Sequence, residues 1–305
     1  MAVLSNMTLG TVQLGMNYGI ANNAGKPDEE KAFSILRAAL EGGVTSLDTA
    51  RGYGNSEEVI GRFLKQWEGE TPFITTKVPR LQGTTEKELE KFATESLERS
   101  LTNLGVSKVN AVMLHAAGDT VIHGAAAAKA MDALLRHGYT DQVGVSVYTA
   151  EDITEMLKYD TYSVTQAPIS IFDQRIIACG AVDALKDRGY TVFVRSVFLQ
   201  GLFFLDPDKL EDPILLEYAA DKIRLVQRIA RENGMTVAQL AIAFMRDCTG
   251  ITSLVLGADT PEQVSSNISY FSAPALDDEV TALLRREFAD VNIPMIMQVL
   301  SRPKE

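Results

Sequence analysis

The chain of 305 residues is poor in the residues that build stapled or metal-centred proteins. Its two cysteines, Cys179 and Cys248, are too few for a disulfide framework and lack metal-ligand spacing. Only three histidines occur, His115, His123 and His137, which argues against a multi-histidine zinc centre, so no metal is expected. No basic start followed by an apolar stretch opens the chain, so no secretory signal is expected and a cytoplasmic location is. The longest apolar runs, such as residues 237–245, fall far short of a membrane span and are interrupted by polar residues. Positive charge is scarce as well: 29 Lys and Arg face 40 Asp and Glu, a formal net charge of −11. Such a surface repels phosphate backbones and anionic lipid, which excludes nucleic acid and membrane as expected partners. An anionic ligand would need a local cluster of donors.

Length alone allows two domains. No Pro/Gly/Ser-rich linker, charge block or low-complexity stretch divides the sequence, so one domain over residues 1–305 is expected. What fills the chain is a regular alternation. Candidate strands are residues 7–14, 45–48, 73–77, 109–115, 142–146, 163–166, 191–196 and 251–256, several of them near-continuous apolar runs, as parallel strands covered on the outside should be. Between them lie helical stripes. Ala32, Ile35, Leu36, Ala39 and Leu40 form one, stopped by Gly42-Gly43; Leu89, Phe92, Leu97, Leu101 and Leu104 form another, stopped by Gly105. Thr236 with Gln239 and Thr260 with Gln263 predict capping boxes, the second with Pro261 at the first helical position. Asp212-Pro213 predicts a long helix ending near Gly234. Eight strand–helix alternations predict an α/β fold, a closed (β/α)8 TIM barrel. A doubly wound open sheet is the alternative, weakened by the lack of G-x-G-x-x-G after the first strand.

In such a barrel, chemistry gathers where the strands end. The ends of the second to sixth strands read Asp48, Lys77, His115, Ser146 and Gln166, and just past Asp48 stands Tyr53 between Gly52 and Gly54. Singly these are ordinary: a strand-end Asp or Ser is often a cap, a loop lysine is often solvated, a histidine is often satisfied core. Five consecutive apolar strands ending in polar groups point instead to one functional rim.

The stretch Leu47-Asp48-Thr49-Ala50-Arg51-Gly52-Tyr53-Gly54-Asn55-Ser56-Glu57 closely resembles the aldo-keto reductase signature. The lysine of Thr75-Thr76-Lys77 and the histidine of Met113-Leu114-His115 follow in that family's order, as do Gly144-Val145-Ser146, Gln166, and Ser196 with Gln200-Gly201-Leu202. The resemblance runs from Leu9 to Asn267. It implies reduction of an aldehyde, ketone or sugar-like carbonyl, or oxidation of the alcohol, with a nicotinamide cofactor bound across the barrel mouth. It implies Tyr53 as proton donor, Lys77 as the cation that lowers its pKa, Asp48 as the partner of Lys77, and His115 as the group positioning the substrate oxygen. A nicotinamide-nucleotide sensor with little turnover is a second reading, and a barrel aldolase forming a Schiff base through Lys77 a third.

For the cofactor, the resemblance assigns Ser146 and Gln166 to the nicotinamide carboxamide. Where the family often has asparagine after that serine, this chain has Val147; where it commonly has an aromatic on the nicotinamide face, it has Arg195, whose guanidinium stacks on rings but also suits a phosphate or an anionic substrate group. The loop 199–206, with Gln200, Gly201, Leu202 and Phe203-Phe204, resembles the segment closing over the pyrophosphate, the two phenylalanines being core residues in the alternative reading, and Ser196 is assigned to the same pyrophosphate. Gly257, Ala258, Asp259, Gln263 and Asn267 correspond to the adenosine end, at a helix N-terminus expected to offer free N–H groups. NADP(H) is the family default. Asp259 and Gln263 stand where many NADPH-preferring relatives carry a base, so NAD(H) use is expected to be possible. The N-terminal hairpin of relatives looks shortened, and the tail from residue 292 is expected to shape the pocket, to pack on the barrel wall or to pack on another subunit. Oligomeric state is not legible.

Overall fold

All eight expected strands form. In the computed structural model, which describes residues 4–22 and 25–302, they are β1 (Met7–Gly10), β2 (Ser46–Asp48), β3 (Phe73–Val78), β4 (Val109–Leu114), β5 (Thr140–Ser146), β6 (Val164–Pro168), β7 (Thr191–Arg195) and β8 (Ser253–Gly257). They pair in chain order, every neighbour parallel, and β8 closes on β1 with Met7 opposite Leu254 and Gly10 opposite Gly257. The result is the (β/α)8 barrel.

Strand alternation sorts the residues into two sets. Leu9, Leu47, Ile74, Val112, Leu114, Val143, Val145, Val192, Val194, Leu254 and Leu256 belong to the large core between strands and helices. The opposite set fills the barrel. At the bottom, the Thr8 hydroxyl bonds those of Ser46 (2.7 Å) and Ser253 (2.8 Å). Ala111, Met113, Val164 and Phe193 make a separate fully buried plug, joined by Leu4, Phe73 and Val255. The same parity carried further in steps of two residues puts Asp48, Lys77, Ser146, Gln166 and Arg195 on the inner side at the strand ends. The fold therefore positions the site by arithmetic of two.

The helices cover the outside as their stripes require. Glu86–Leu104 starts in a capping box of Thr85 and Glu88 and stops at Gly105, whose φ of +68° suits glycine. Glu29–Glu41 buries Ala32, Ile35, Leu36 and Ala39. Three expectations need correction. The first strand ends at Gly10, not at residue 14, because Thr11 turns back to Asp48 through its N–H (3.0 Å) and hydroxyl (2.8 Å), and Val12–Gly15 becomes a helical turn. The long helix after Asp212 is two, Pro213–Tyr218 and Ala220–Glu232, broken at Ala219 with φ −124° and ψ −33°. At Thr260 the hydroxyl caps Gln263 N–H, but Gln263 Oε1 accepts from Asp259 N–H (2.8 Å), so the reciprocal box is shifted by one residue.

The tail follows the wall rather than the pocket. Ile293–Leu300 buries Ile293, Ile296 and Leu300, and Arg302 pairs with Asp212 at 2.5 Å. Residues 303–305 lie outside the described residues. Among the described residues no helix is long and apolar enough to cross a membrane.

Candidate functional site

At the top of the barrel a cavity of about 440 Å³ opens between the loops following β1, β7 and β8. Asp48, Tyr53 and Gln166 line its inner part; Arg195, Ser196, Gln200 and Gly201 line one side; Gly257, Asp259, Gln263 and Asn267 line its far end. Leu202 and Ala258 do not: both side chains are buried in the core. Of Phe203 and Phe204, the first is core, packed on Phe172 with ring centroids 4.6 Å apart, and the second is half exposed and lines the cavity.

Local structure explains why Tyr53 stands there. The Tyr53 loop is pressed against the turn after β1: a Cβ on Gly15 would lie 1.8 Å from the Tyr53 carbonyl oxygen, and one on Gly54 (φ +56°) 2.2 Å from the Gly15 carbonyl oxygen. Only two glycines fit this approach. Ser56 adds a hydroxyl bond to Thr11 O (2.9 Å), and its own helix begins at once, running Ser56–Leu64. The buried Glu57 carboxylate accepts from Thr76 Oγ1 (2.7 Å), Arg51 Nη1 (3.2 Å) and Asn103 Nδ2 (3.3 Å), tying the loop to β3 beside Lys77.

Lys77 is fully buried and holds the centre together. Its ammonium donates to Asp48 Oδ1 (2.7 Å) and Oδ2 (2.8 Å), to Thr49 O (3.1 Å) and to Tyr53 OH (3.3 Å). Gln166 Nε2 donates to Asp48 Oδ1 (2.8 Å) from across the barrel. Because the Tyr53 oxygen accepts from Lys77, its own hydrogen is left to point away, toward the cavity. His115 meets the Tyr53 ring edge-on, centroids 5.7 Å apart at 84°.

The electrostatics departs from the sequence reading in one respect. Burial first, and the Asp48 charge second, push the Tyr53 phenol well above its ordinary range, with Arg195 working the other way. The expected lowering by Lys77 does not prevail, so Tyr53 is a neutral phenol at any physiological pH, a held proton rather than a ready phenolate. Lys77 is pushed down by burial, and Asp48 opposes this. Burial, then the charges of Lys77 and Arg195, push His115 down to about 4. The sign matters for stability: the unfolded chain binds a proton at His115 near 6.5 and the folded chain near 4, so stability is lost as pH falls through that window. Urea titrations between pH 7 and 4 are expected to show a shallower pH slope for His115→Asn than for wild type. Parallel slopes would contradict a neutral, desolvated His115.

Among the buried polar atoms without a partner are Ser146 Oγ and Gln166 Oε1, from residues directly opposite in the β5–β6 ladder. A primary carboxamide supplies the acceptor and donor they lack. The segment 196–201 carries three non-glycine residues in the left-handed region, Ser196 (φ +64°), Leu199 (φ +46°) and Gln200 (φ +57°), a concentration of backbone strain on the cavity wall. Arg195 lies over the Tyr148 ring at 4.4 Å.

The family model for the aldo/keto reductase family matches residues 6–286. The chain belongs to the aldo/keto reductase family. It is 27% identical to the NADH-specific methylglyoxal reductase of Escherichia coli strain K12, over 94% of this chain and 95% of that protein. It is 24% identical to an L-glyceraldehyde 3-phosphate reductase of Escherichia coli O157:H7, over 94% of this chain and 91% of that one. The solved holo form of an aldo-keto reductase from Bacillus halodurans shares the fold with a TM-score of 0.76 at 22% identity, covering 93% of this chain and 92% of that one.

The sequence reading missed several cavity residues, all on loops. Tyr18 lines the inner end, its phenol pushed up to about 12 by burial first and Tyr53 second. Gln13 lies against Gly257, with its Oε1 unpartnered. Asn22 donates to Asp259 Oδ1 (3.1 Å), joining the β1 loop to the β8 loop. An aromatic flanked by Asn17 and Gly19 just past a strand end was the one available signal.

Proposed function

We propose that this aldo-keto reductase reduces a small carbonyl compound with NAD(P)H, Tyr53 giving the proton to the carbonyl oxygen. The observation that carries this reading is the Lys77 ammonium donating to the Tyr53 oxygen at 3.3 Å, which aims the phenolic hydrogen outward. The nicotinamide, when bound, supplies the hydride directly. Ser146 and Gln166 fit its carboxamide through their two orphaned atoms. Asp48 binds and orients Lys77, so a cation already stands beside the oxygen that becomes negative as the proton leaves. His115, kept neutral by its low pKa, is a donor or acceptor of hydrogen bonds to the substrate oxygen rather than a charge. A Schiff base at Lys77 is disfavoured, since its nitrogen is buried and committed to four acceptors. The intact donor geometry favours turnover over a purely sensory role.

Cofactor choice follows from the far end of the cavity. Asp259 and Glu262 line it, and no basic residue does among the described residues there. The helix Pro261–Tyr270 has little to offer a phosphate: Gln263 N–H is capped by Thr260 and Asp259 N–H by Gln263. The Glu262 carboxylate takes the remaining place, held below the usual carboxylate range by its own backbone N–H and then by the Thr260 hydroxyl. A 2′-phosphate would meet two carboxylates there, whereas ribose hydroxyls are served by them. NADH is therefore the favoured form. The test is loss of near-ultraviolet absorbance from NADH and NADPH over a panel of aldehydes and ketones. Turnover with a KM for NADH at or below that for NADPH is expected. A KM favouring NADPH by about a hundredfold, about 2.7 kcal/mol, overturns the cofactor assignment. No oxidation of either nucleotide with any carbonyl overturns the reaction.

A further inference from the structure

Arg195 is the one basic residue lining the cavity among the described residues, in a chain that carries an excess of acid. It ends β7 on the inner side of the barrel, half-buried, and its close contacts are all neutral. The guanidinium lies over the Tyr148 ring (4.4 Å), and two long hydrogen bonds hold it, from Nη2 to Val147 O (3.3 Å) and from Nη1 to Ser196 Oγ (3.4 Å). Tyr148 presents this face while remaining half exposed. The arrangement fixes the direction of the guanidinium without neutralising it and leaves most of its five N–H groups unspent.

Its charge reaches the reaction centre. It opposes protonation of Lys77 and His115 and favours the charged forms of Tyr53 and Tyr18, so it stands within electrostatic range of all four. A cation kept partly out of water, with no carboxylate among its hydrogen-bond partners, is unfavourable unless a ligand brings the anion. An oxidised nicotinamide ring cannot be that ligand, being positive itself. A substrate carbonyl held at Tyr53 and His115 brings its own substituents to this side of the cavity. A planar carboxylate or a phosphate oxygen pair matches the guanidinium fork.

We propose that Arg195, braced by Tyr148, selects carbonyl substrates that carry a carboxylate or phosphate group. This deepens the carbonyl-reductase reading and rests on it. Tyr148 is a positioning residue: removing its ring frees the guanidinium to swing into solvent.

The test compares kcat/KM within matched pairs, succinic semialdehyde against butyraldehyde and glyceraldehyde 3-phosphate against glyceraldehyde. The two pairs separate carboxylate from phosphate. Wild type is expected to favour the anionic member of one pair by about 10–100-fold, the worth of one charge-assisted hydrogen-bonded pair. Arg195→Gln is expected to reduce that ratio to near unity, and Arg195→Lys to restore part of it. Tyr148→Ala is expected to lower it by about tenfold through KM rather than kcat, which a merely structural role would not do. An unchanged ratio in Arg195→Gln overturns the proposal, as does a raised KM for NADH with the ratio untouched, which assigns Arg195 to the cofactor. Calorimetry with succinate and with inorganic phosphate needs no turnover. If wild type binds either anion and Arg195→Gln does not, while no carbonyl is reduced, the reaction is overturned and the anion site stands. Equal anion binding by both proteins overturns the anion site.

Discussion

Tyr53→Phe is expected to lower kcat by about two to four orders of magnitude, the usual worth of a positioned proton donor, while leaving the fold intact. The stability half of this expectation follows from counting donors. Lys77 has three protons and, with Tyr53 gone, still three acceptors: Asp48 Oδ1 at 2.7 Å, Asp48 Oδ2 at 2.8 Å and Thr49 O at 3.1 Å. The longest of its four contacts is the one removed, so the loss is of the order of one hydrogen bond, about 1 kcal/mol. The ring itself keeps its place against His115 and over the Lys77 ammonium, which lies 4.9 Å from its centroid. The catalytic half follows from the absence of a substitute. His115, its pKa pushed down to about 4, is not an imidazolium acid near neutrality, and Lys77 is sealed behind Tyr53. Steady-state rates beside urea midpoints for the same two proteins check both halves. A variant retaining more than about a tenth of wild-type kcat would remove Tyr53 from the donor role. A variant that unfolds would leave the role to Tyr53→Trp and to single-turnover measurements, in which the proton-transfer step must still be slowed.

The barrel was legible because its strands are apolar runs of the right length. The strand-end residues were legible because alternation is rigid: Asp48, Lys77, Ser146, Gln166 and Arg195 share parity with the barrel-filling residues below them. What parity does not carry is the loops. Tyr18 enters the cavity, and Asn22 reaches Asp259 some 237 residues away, through loop paths with no periodicity. The break at Ala219 is equally silent in the sequence, since neither glycine nor proline marks it. Arg195 shows the boundary most clearly. Its residue type and strand position predicted a cation at the mouth, but its seat on Tyr148 comes from a loop whose course no pattern announced. The direction of the Tyr53 shift was also out of reach, because desolvation depends on how completely the barrel closes over the phenol, and that is a property of packing rather than of neighbours in the motif.

The second large effect is on stability, and it comes from breaking the pair beneath Tyr53. Lys77→Met is expected to cost about 3–5 kcal/mol, because it strands the Asp48 carboxylate in a place that excludes water. Lys77 and Asp48 have side chains 0% and 4% exposed. After the substitution, the carboxylate keeps one bond from Gln166 Nε2 (2.8 Å) and loses both of its bonds to the ammonium. Methionine matches the length of the lysine stem, so the cost is electrostatic rather than a cavity. The pair itself is a different matter. Two buried charges attract strongly but were both taken from water, and replacing the whole pair is nearly neutral in many proteins. The double variant Asp48→Asn/Lys77→Met, which removes both charges and keeps an acceptor for Gln166, is therefore expected to recover about 2 kcal/mol or more of what the single variant loses. Both are expected to be inactive, since neither holds a cation beside the Tyr53 oxygen. Urea unfolding of the single variants and the double gives the coupling energy directly. If Lys77→Met loses less than about 1 kcal/mol, or the double is no more stable than the single, water reaches Asp48 and the pair is not the dry ion pair that its geometry describes. If the coupling is large and activity vanishes in both, the charge at Lys77 has a dual office: the barrel tolerates its absence only when Asp48 is neutralised too, and the chemistry does not tolerate its absence at all.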